Sequence, residues 1–356
     1  MGKQIYFTPG PSQLYHTYDY HLKKSLNEQI GSISHRGTAF QQLYQETEEA
    51  LRALMGIPTD FRVLFLSSAT DIWERILLNL VDQQSHHFVN GAFSQRFFDF
   101  AKSLGKNSTL TEATPGEEFA QFDIPQGTEL IGITQNETST GYAFDPKRLS
   151  EVRAAAPDSL ISLDVVSSAP AVPLDFSLVD MAYFSVQKSF GMPAGLGVWI
   201  VNEKAIERAA QLKASGKSMG TYRSLEAMVK SASKHQTPET PNVVAIYILG
   251  KIAQDMMDRG IQMIRNETIY KSTLLYQTLE AHELLKPFVK EKPNRSKTVV
   301  VAECPQQKAL MERFQKVGLT LGAGYGKFKN DHIRIANFPA HSKEVVEMLC
   351  DRLAAF

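Results

Sequence analysis

The chain of 356 residues is 43% hydrophobic and 21% charged, with 38 basic and 38 acidic side chains. Zero formal charge argues against a general nucleic-acid binder, which would carry a basic face, and two cysteines, Cys304 and Cys350, are too few for a disulfide framework or a zinc cluster. The length suggests about two domains at ~150 residues each. No apolar run reaches the ~18 residues of a membrane span, and Met1 to Gly10 holds no leader-like apolar stretch, so a cytoplasmic protein is expected.

From Phe40 to Leu54 the apolar residues Phe40, Leu43, Tyr44, Leu51 and Leu54 keep helical spacing, with Glu46, Glu48 and Glu49 between them. Val63 to Leu66 is a continuous apolar run, too short for a helix and suited to a buried parallel strand. Ser67-Ser68-Ala69-Thr70-Asp71 follows, and Ile72, Ile76, Leu77 and Leu80 resume helical spacing. Phe88-Val89 starts another strand–helix unit, its helix carrying Phe97, Phe98 and Leu104. Leu130 to Thr134, Leu160 to Val166, Met181 to Val186 and Leu196 to Val201 read as strands, with helices near Pro146 to Ala156 and Glu203 to Ala214. This alternation predicts an α/β fold with a mainly parallel sheet.

The pattern changes after His235. Gln236 to Pro241 reads as a loop, and Asn242 to His282 as two long helices. Thr298 to Val301 and Ile333 to Ile335 are strand candidates flanking a helix with Leu310, Met311 and Phe314; a last helix carries Val345, Val346, Leu349 and Leu353. The expected organisation is an N-terminal segment (1–20), a large α/β domain (21–244) and a small α+β domain (245–356).

Several familiar motifs are missing. No G-x-G-x-x-G opens the first strand–turn–helix unit, Gly195-Leu196-Gly197 precedes a strand, and neither a phosphate loop ending in Gly-Lys-Ser/Thr nor a G-x-S-x-G elbow occurs. His86-His87 lacks metal-ligand spacing and reads as structural. What remains is a set of separated residues. Small residues at Ser67 to Thr70 let helix amides approach an anion, although such a turn is commonly only a helix cap. Asp164 ends a strand on the side where open α/β sheets bind ligands. Lys188 follows the next strand among small residues, as a solvated charge or, near an acid and an anion cradle, as an imine-forming amine. Arg334 inside an apolar strand needs an anionic partner, from the protein or a ligand. His35-Arg36 lies in a Ser/Gly-rich loop and could hold a second anion.

In this order the pieces resemble the class V aminotransferases, pyridoxal-phosphate enzymes of the aspartate-aminotransferase fold (fold type I), and most closely their phosphoserine-aminotransferase branch. The resemblance runs from Phe7-Thr8-Pro9-Gly10-Pro11 through Ser34-His35-Arg36-Gly37, Asn136-Glu137-Thr138 and Asn294-Arg295-Ser296 to the Arg334 strand, with Asp164 and Lys188 separated by 24 positions. It implies that Lys188 binds the coenzyme aldehyde and shuttles the proton, while Asp164 keeps the ring nitrogen protonated. By the same resemblance Phe93 stacks on the ring and Thr138 bonds its hydroxyl oxygen. Ala69, Thr70 and Gln187 hold the phosphate, joined by Thr237 from the second subunit of a homodimer. Arg334 clamps the substrate α-carboxylate, and His35 and Arg36 its distal anionic group. Amino acids and keto acids are the implied substrates, phosphoserine with 2-oxoglutarate first, and no nucleic acid or membrane is involved.

The resemblance departs at the first phosphate turn, where that branch carries an arginine and this chain has Asp71. A carboxylate ~5 Å from a phosphate charge would cost about 3 kcal/mol at an effective dielectric of ~20. Either Asp71 points elsewhere or the substrate bears no phosphate, which brings in serine–pyruvate and alanine–glyoxylate aminotransferases as the nearest rivals. A cysteine desulfurase would need a reactive cysteine on a mobile loop. A non-catalytic scaffold of the same fold would have no use for Lys188.

Overall fold

The computed structural model describes residues 4–217 and 219–356. Its larger sheet has seven strands, in the spatial order Phe61–Leu66, Gly197–Asn202, Met181–Ser185, Leu160–Asp164, Leu130–Thr134, Gln84–Val89 and Asn107–Glu112. All run the same way except Gly197–Asn202, which is antiparallel to both neighbours. The central strands Leu160–Asp164 and Met181–Ser185 are buried at every residue, as their unbroken apolar character requires. The edge strand Asn107–Glu112 is half exposed and polar in sequence, so no apolar run announces it.

Register sets the carboxyl ends level. Thr134 pairs with Asp164, Asp164 with Tyr183, and Gly197 with both Ser185 and Leu66. The residues that leave these strand ends therefore emerge along one edge, where parallel sheets present ligand sites. Helices Thr38–Met55, Ala69–Leu80, Ala92–Ser103 and Val243–Arg259 bury apolar faces in the same core as this sheet.

The second sheet has the order Ile5–Phe7, Leu319–Ala323, His332–Ala336, Val299–Glu303 and Lys286–Pro287, parallel in the first pair and antiparallel in the rest. The chain's start thus joins strands from its last third, in line with the expectation that the leading segment packs on the small region or at an interface, although its pairing partner carries no local signal. Phe7, Leu275, Leu310, Phe314, Ile335 and Leu349 belong to the separate core behind this sheet. Helix Val243–Arg259 starts at the boundary expected from sequence, yet packs into the first core, with the Thr47 hydroxyl donating to the Ile246 carbonyl at 3.1 Å. On this packing we propose that the two units divide within the next helix, Ile261–Ala281, where Ile264 belongs to the first core and Leu275 to the second. Among the described residues no helix is long and apolar enough to cross a membrane.

Three buried histidines are held in their neutral form. His86 lies between the Thr109 and Thr111 hydroxyls (2.8 and 3.0 Å), and His87 reaches Ser85 Oγ at 2.9 Å. His341 donates from Nε2 to the Tyr6 carbonyl at 2.9 Å and accepts at Nδ1 from the Phe338 amide at 3.2 Å, so a further proton would meet a donor. Burial lowers all three pKa values, to about 4, 3 and 4 for His86, His87 and His341. Between those values and the unfolded value near 6.5 the unfolded chain binds more protons, so stability falls as pH drops. Each histidine contributes up to about 1.4 kcal/mol per pH unit in that window. The urea midpoint is expected to fall steadily from about pH 6.5 to 4.5, and less steeply in His86→Gln; an unchanged midpoint across that window would contradict the assignment.

Candidate active site

At the level edge of the large sheet a cavity is lined by Ser68, Ala69, Thr70, Trp73, Phe93, Thr138, Asp164, Gln187 and Lys188, among others. Seven of the eleven residues named from sequence therefore meet in one place, and Arg334 adjoins them, its Nη1 lying 3.5 Å from the Thr138 carbonyl. His35, Arg36 and Thr237 lie outside this lining.

Lys188 is only 6% exposed, and its Nζ donates to the hydroxyls of Thr138 and Ser167, both at 2.8 Å. It also stands 5.1 Å from the centre of the Phe93 ring. Asp164 is 5% exposed and accepts from the Val166 amide at 2.9 Å. Behind it the Tyr183 hydroxyl, which accepts from Trp73 Nε1 at 2.7 Å, stands near enough to the carboxylate to lower its pKa. Among the described residues neither Asp164 nor Lys188 forms an ion pair within 4.0 Å. Burial dominates both titrations: it pushes Asp164 up to about 6 against the Val166 hydrogen bond, and Lys188 down to about 8 against the field of Asp164 and Glu137.

The chain's start closes over the lysine. Ser12 N donates to the Gln187 carbonyl at 3.2 Å and Tyr15 N to the Gly191 carbonyl at 2.8 Å, laying residues 12–15 along 187–191. Gly10, at φ +120°, passes so close that a β-carbon there would stand 2.8 Å from Lys188 Cε. Only glycine meets both conditions.

Phe93 is placed by Glu137. This fully buried carboxylate accepts from the amides of Phe93 (3.2 Å) and Ser94 (2.9 Å) and from the hydroxyls of Ser94 (2.9 Å) and Ser139 (2.6 Å), capping helix Ala92–Ser103. A β-carbon on Gly91 would lie 2.2 Å from Glu137 Cγ, so a side chain there would expel the cap. From the connection after strand Leu319–Ala323, Tyr325 packs on Phe93 at 5.2 Å between ring centres, and the Arg334 guanidinium stands 5.2 Å from the Tyr325 ring. Arg334 Nε donates to the Ala323 carbonyl at 2.8 Å, which leaves its remaining donors free of any carboxylate among the described residues. Burial lowers its pKa.

Asp71 points away from the cavity. Its Oδ2 accepts from the Ser67 hydroxyl at 2.9 Å and from Arg223, and its Oδ1 is 3.6 Å from Arg75 Nε. Of the two alternatives left open by the sequence, the structure takes the first. Arg36 is also committed: its guanidinium donates to the Thr237 and Pro238 carbonyls (2.8 and 2.9 Å) and to Gln236 Oε1 at 3.2 Å. Thr237 beneath it is 3% exposed and gives its hydroxyl proton to the Glu239 carbonyl at 2.7 Å.

Comparison with known proteins decides the family. Residues 101–324 match the family model Aminotransferase class-V. The chain belongs to the class-V aminotransferases. The crystal structure of a phosphoserine aminotransferase, SerC, from Cytophaga hutchinsonii superposes with a TM-score of 0.97 at 42% identity, covering 100% of this chain and 99% of that one. Phosphoserine aminotransferase of Rhodococcus opacus (strain B4) is 29% identical over 328 residues, 90% of this chain and 86% of its own. An aspartate aminotransferase from Thermus thermophilus shares the fold at TM-score 0.87 and 23% identity, covering 99% of each chain. The protein is thus a pyridoxal-phosphate-dependent aminotransferase of fold type I.

The aminotransferase's own donor set fits that coenzyme. Two buried opposite charges stand unpaired, so the site lacks a cationic N–H for Asp164 and an electrophile for Lys188, and a pyridinium aldehyde supplies both. The Asn136 amide nitrogen is buried without a partner at the same cavity, and the Thr70 amide, in the first helical turn, has no intrahelical acceptor. Sequence reasoning passed over Ser167, Tyr183, Trp73 and Glu137. Glu137 stood within a quoted motif; Tyr183 reads as one more apolar strand residue until Asp164 is seen beside it.

The raised Asp164 pKa has a cost with a definite sign. A carboxyl whose folded pKa exceeds its unfolded one is destabilising once pH rises through the folded value. With a shift from 3.8 to about 6, the coenzyme-free fold carries on the order of 3 kcal/mol of strain at neutral pH. Asp164→Asn should melt higher than wild type without coenzyme near pH 7.5 and gain nothing near pH 4; a lower Tm at both would refute the account.

Proposed function

We propose that this aminotransferase converts O-phosphoserine and 2-oxoglutarate to 3-phosphohydroxypyruvate and glutamate. The observation that carries the substrate is the likeness to the phosphoserine aminotransferase of Cytophaga hutchinsonii along the whole chain, at 42% identity. The engagement of Asp71 by Arg223 and Arg75 removes the objection that its carboxylate would repel a phosphate.

When bound, pyridoxal phosphate supplies an aldehyde that condenses with amines and a protonated ring that accepts the electron pair left on the substrate Cα. Asp164 would accept from the ring N–H and keep that nitrogen protonated. Its carboxylate is backed by Val166 N–H and the Tyr183 hydroxyl, so it stays oriented when a cation arrives. Lys188, with a pKa near 8, keeps an appreciable neutral fraction at neutral pH, as a nucleophile and a proton carrier both require. Its Nζ takes the proton from the substrate Cα, and the Thr138 and Ser167 hydroxyls fix where Nζ sits. Phe93 would lie against the ring, and the Ser68–Thr70 turn and Gln187 would hold the phosphate with the helix dipole behind them, the Ala69 amide being given to Ser185 Oγ at 2.7 Å. Arg334 would take the α-carboxylate through its Nη groups, which no carboxylate among the described residues engages.

His35, Arg36 and Thr237 are assigned to a homodimer. Arg36 and Thr237 sit together, outside the lining of the cavity that holds Lys188, so the loop at 236–239 would serve a second copy's phosphate, with His35 and Arg36 near its substrate's distal group. Thr237 would rotate its hydroxyl away from Glu239 to do so. Exposed Leu14, Tyr20, Leu26 and Tyr222, in the flanking segments, supply apolar surface for that contact.

A screen of amino donors tests the reading. O-phosphoserine should exceed serine and alanine in kcat/KM by about a hundredfold or more, as expected when a buried charge-binding site is left unpaired, with inorganic phosphate competing. Equal or better use of serine or alanine with pyruvate or glyoxylate would replace the proposal with the small-amino-acid reading. Arg334→Ala should raise KM for the amino donor by about 30- to 1,000-fold, the equivalent of ~2–4 kcal/mol, and leave coenzyme affinity unchanged.

A further inference from the structure

The turn that receives the phosphate in this reading carries an acid in its own first helical turn. Ser68 caps helix Ala69–Leu80 by accepting from the Asp71 amide at 3.1 Å, so Asp71 belongs to the same few residues as Ala69 and Thr70. Left to itself, such a carboxylate would be drawn to the helix N-terminus by the dipole and occupy the place of an anion. In the structure it does not. Ser68, Ala69 and Thr70 line the cavity, whereas Asp71 lies outside that lining, held by hydrogen bonds from Ser67 and Arg223 and faced by Arg75 at 3.6 Å.

Those donors are unequal. Ser67 is neutral, and Arg75 Nε is 3.6 Å away while its Nη2 is engaged by Glu74. Arg223 reaches Asp71 directly from a segment 152 residues further along the chain. Both partners are mostly buried, 21% and 14% exposed at the side chain, so solvent screens the pair less than a surface bridge. Its other contact, to Glu239 at 3.5 Å, is longer.

We propose that Arg223 is a positioning residue for coenzyme binding, making the Ser68–Thr70 turn an anion site by holding the Asp71 carboxylate away from it. The role is distinct from phosphate binding, because Arg223 acts through Asp71. It rests on the reading that the coenzyme phosphate sits at this turn.

The test is a titration of the coenzyme-free protein with pyridoxal phosphate, followed by quenching of Trp73, which lines the cavity, and repeated with pyridoxal lacking the phosphate. Arg223→Met frees the carboxylate and should weaken pyridoxal phosphate binding by about 30- to 100-fold, with pyridoxal unchanged within about threefold. Asp71→Asn/Arg223→Met should bind within about threefold of wild type, because the charge that needed neutralising is gone. Arg223→Lys, which keeps the charge and folds with least disturbance, should stay within about tenfold. Wild-type affinity in Arg223→Met, or a double variant as weak as the single one, would overturn the proposal; the latter would mean that Arg223 acts through Glu239 or the fold. Equal wild-type affinity for pyridoxal and pyridoxal phosphate would instead remove the phosphate from this turn, and the underlying reading with it.

Discussion

The structure is organised around two buried charges of opposite sign that do not pair. Asp164 ends one strand and Lys188 follows its neighbour, so the sheet's register fixes both in one cavity. If the chain let them meet, the pair would satisfy itself and the site would be inert. They are kept apart by separate small partners, the Val166 amide and Tyr183 hydroxyl for the acid and two hydroxyls for the amine. Burial then moves their pKa values toward each other, to about 6 and 8, leaving each ready for a ligand carrying the complementary group. The cost falls on stability, which a core of this size can bear.

Everything nearby limits where those two groups can go. Glu137 fixes the start of helix Ala92–Ser103 and with it Phe93, while Arg334 from the second sheet and Tyr325 from the loop after Leu319–Ala323 close the same wall. The chain's first residues reach the lysine because Ile5–Phe7 is anchored in that second sheet by pairing with Leu319–Ala323 and by the His341–Tyr6 hydrogen bond. Lys271 steadies the anchor, donating to the Phe338 and His341 carbonyls at 3.2 and 2.7 Å from a fully buried position.

How much of this was legible in the chain depends on the kind of force involved. Buried strands such as Leu130–Thr134, and helices such as Glu203–Ala214, follow from local apolar pattern, and residues 160–164 likewise placed Asp164 at a strand end. Strand Asn107–Glu112 did not show, because an edge strand needs few apolar residues; Ile5–Phe7 did not, because three residues carry no period. The cofactor set emerged as a resemblance of spaced residues. Ser167 and Tyr183 stayed hidden because their importance lies in what they touch across the sheet, which no local pattern encodes.

Asp71 marks the limit of reading one residue by its charge. By sequence a carboxylate at an anion-binding turn argues against the anion, and the magnitude of the repulsion is large enough to decide a substrate. That argument holds only at fixed distance and in isolation. A guanidinium 152 positions away along the chain reverses it, because the paired carboxylate presents its oxygens to Arg223 and its backbone amide to the Ser68 cap. The N-terminal dipole of helix Ala69–Leu80 is then spent on neither charge of the pair and remains available to the cavity. Electrostatic compatibility at such a turn belongs to the network that holds the acid, and it can be judged only where the fold shows which cation arrives.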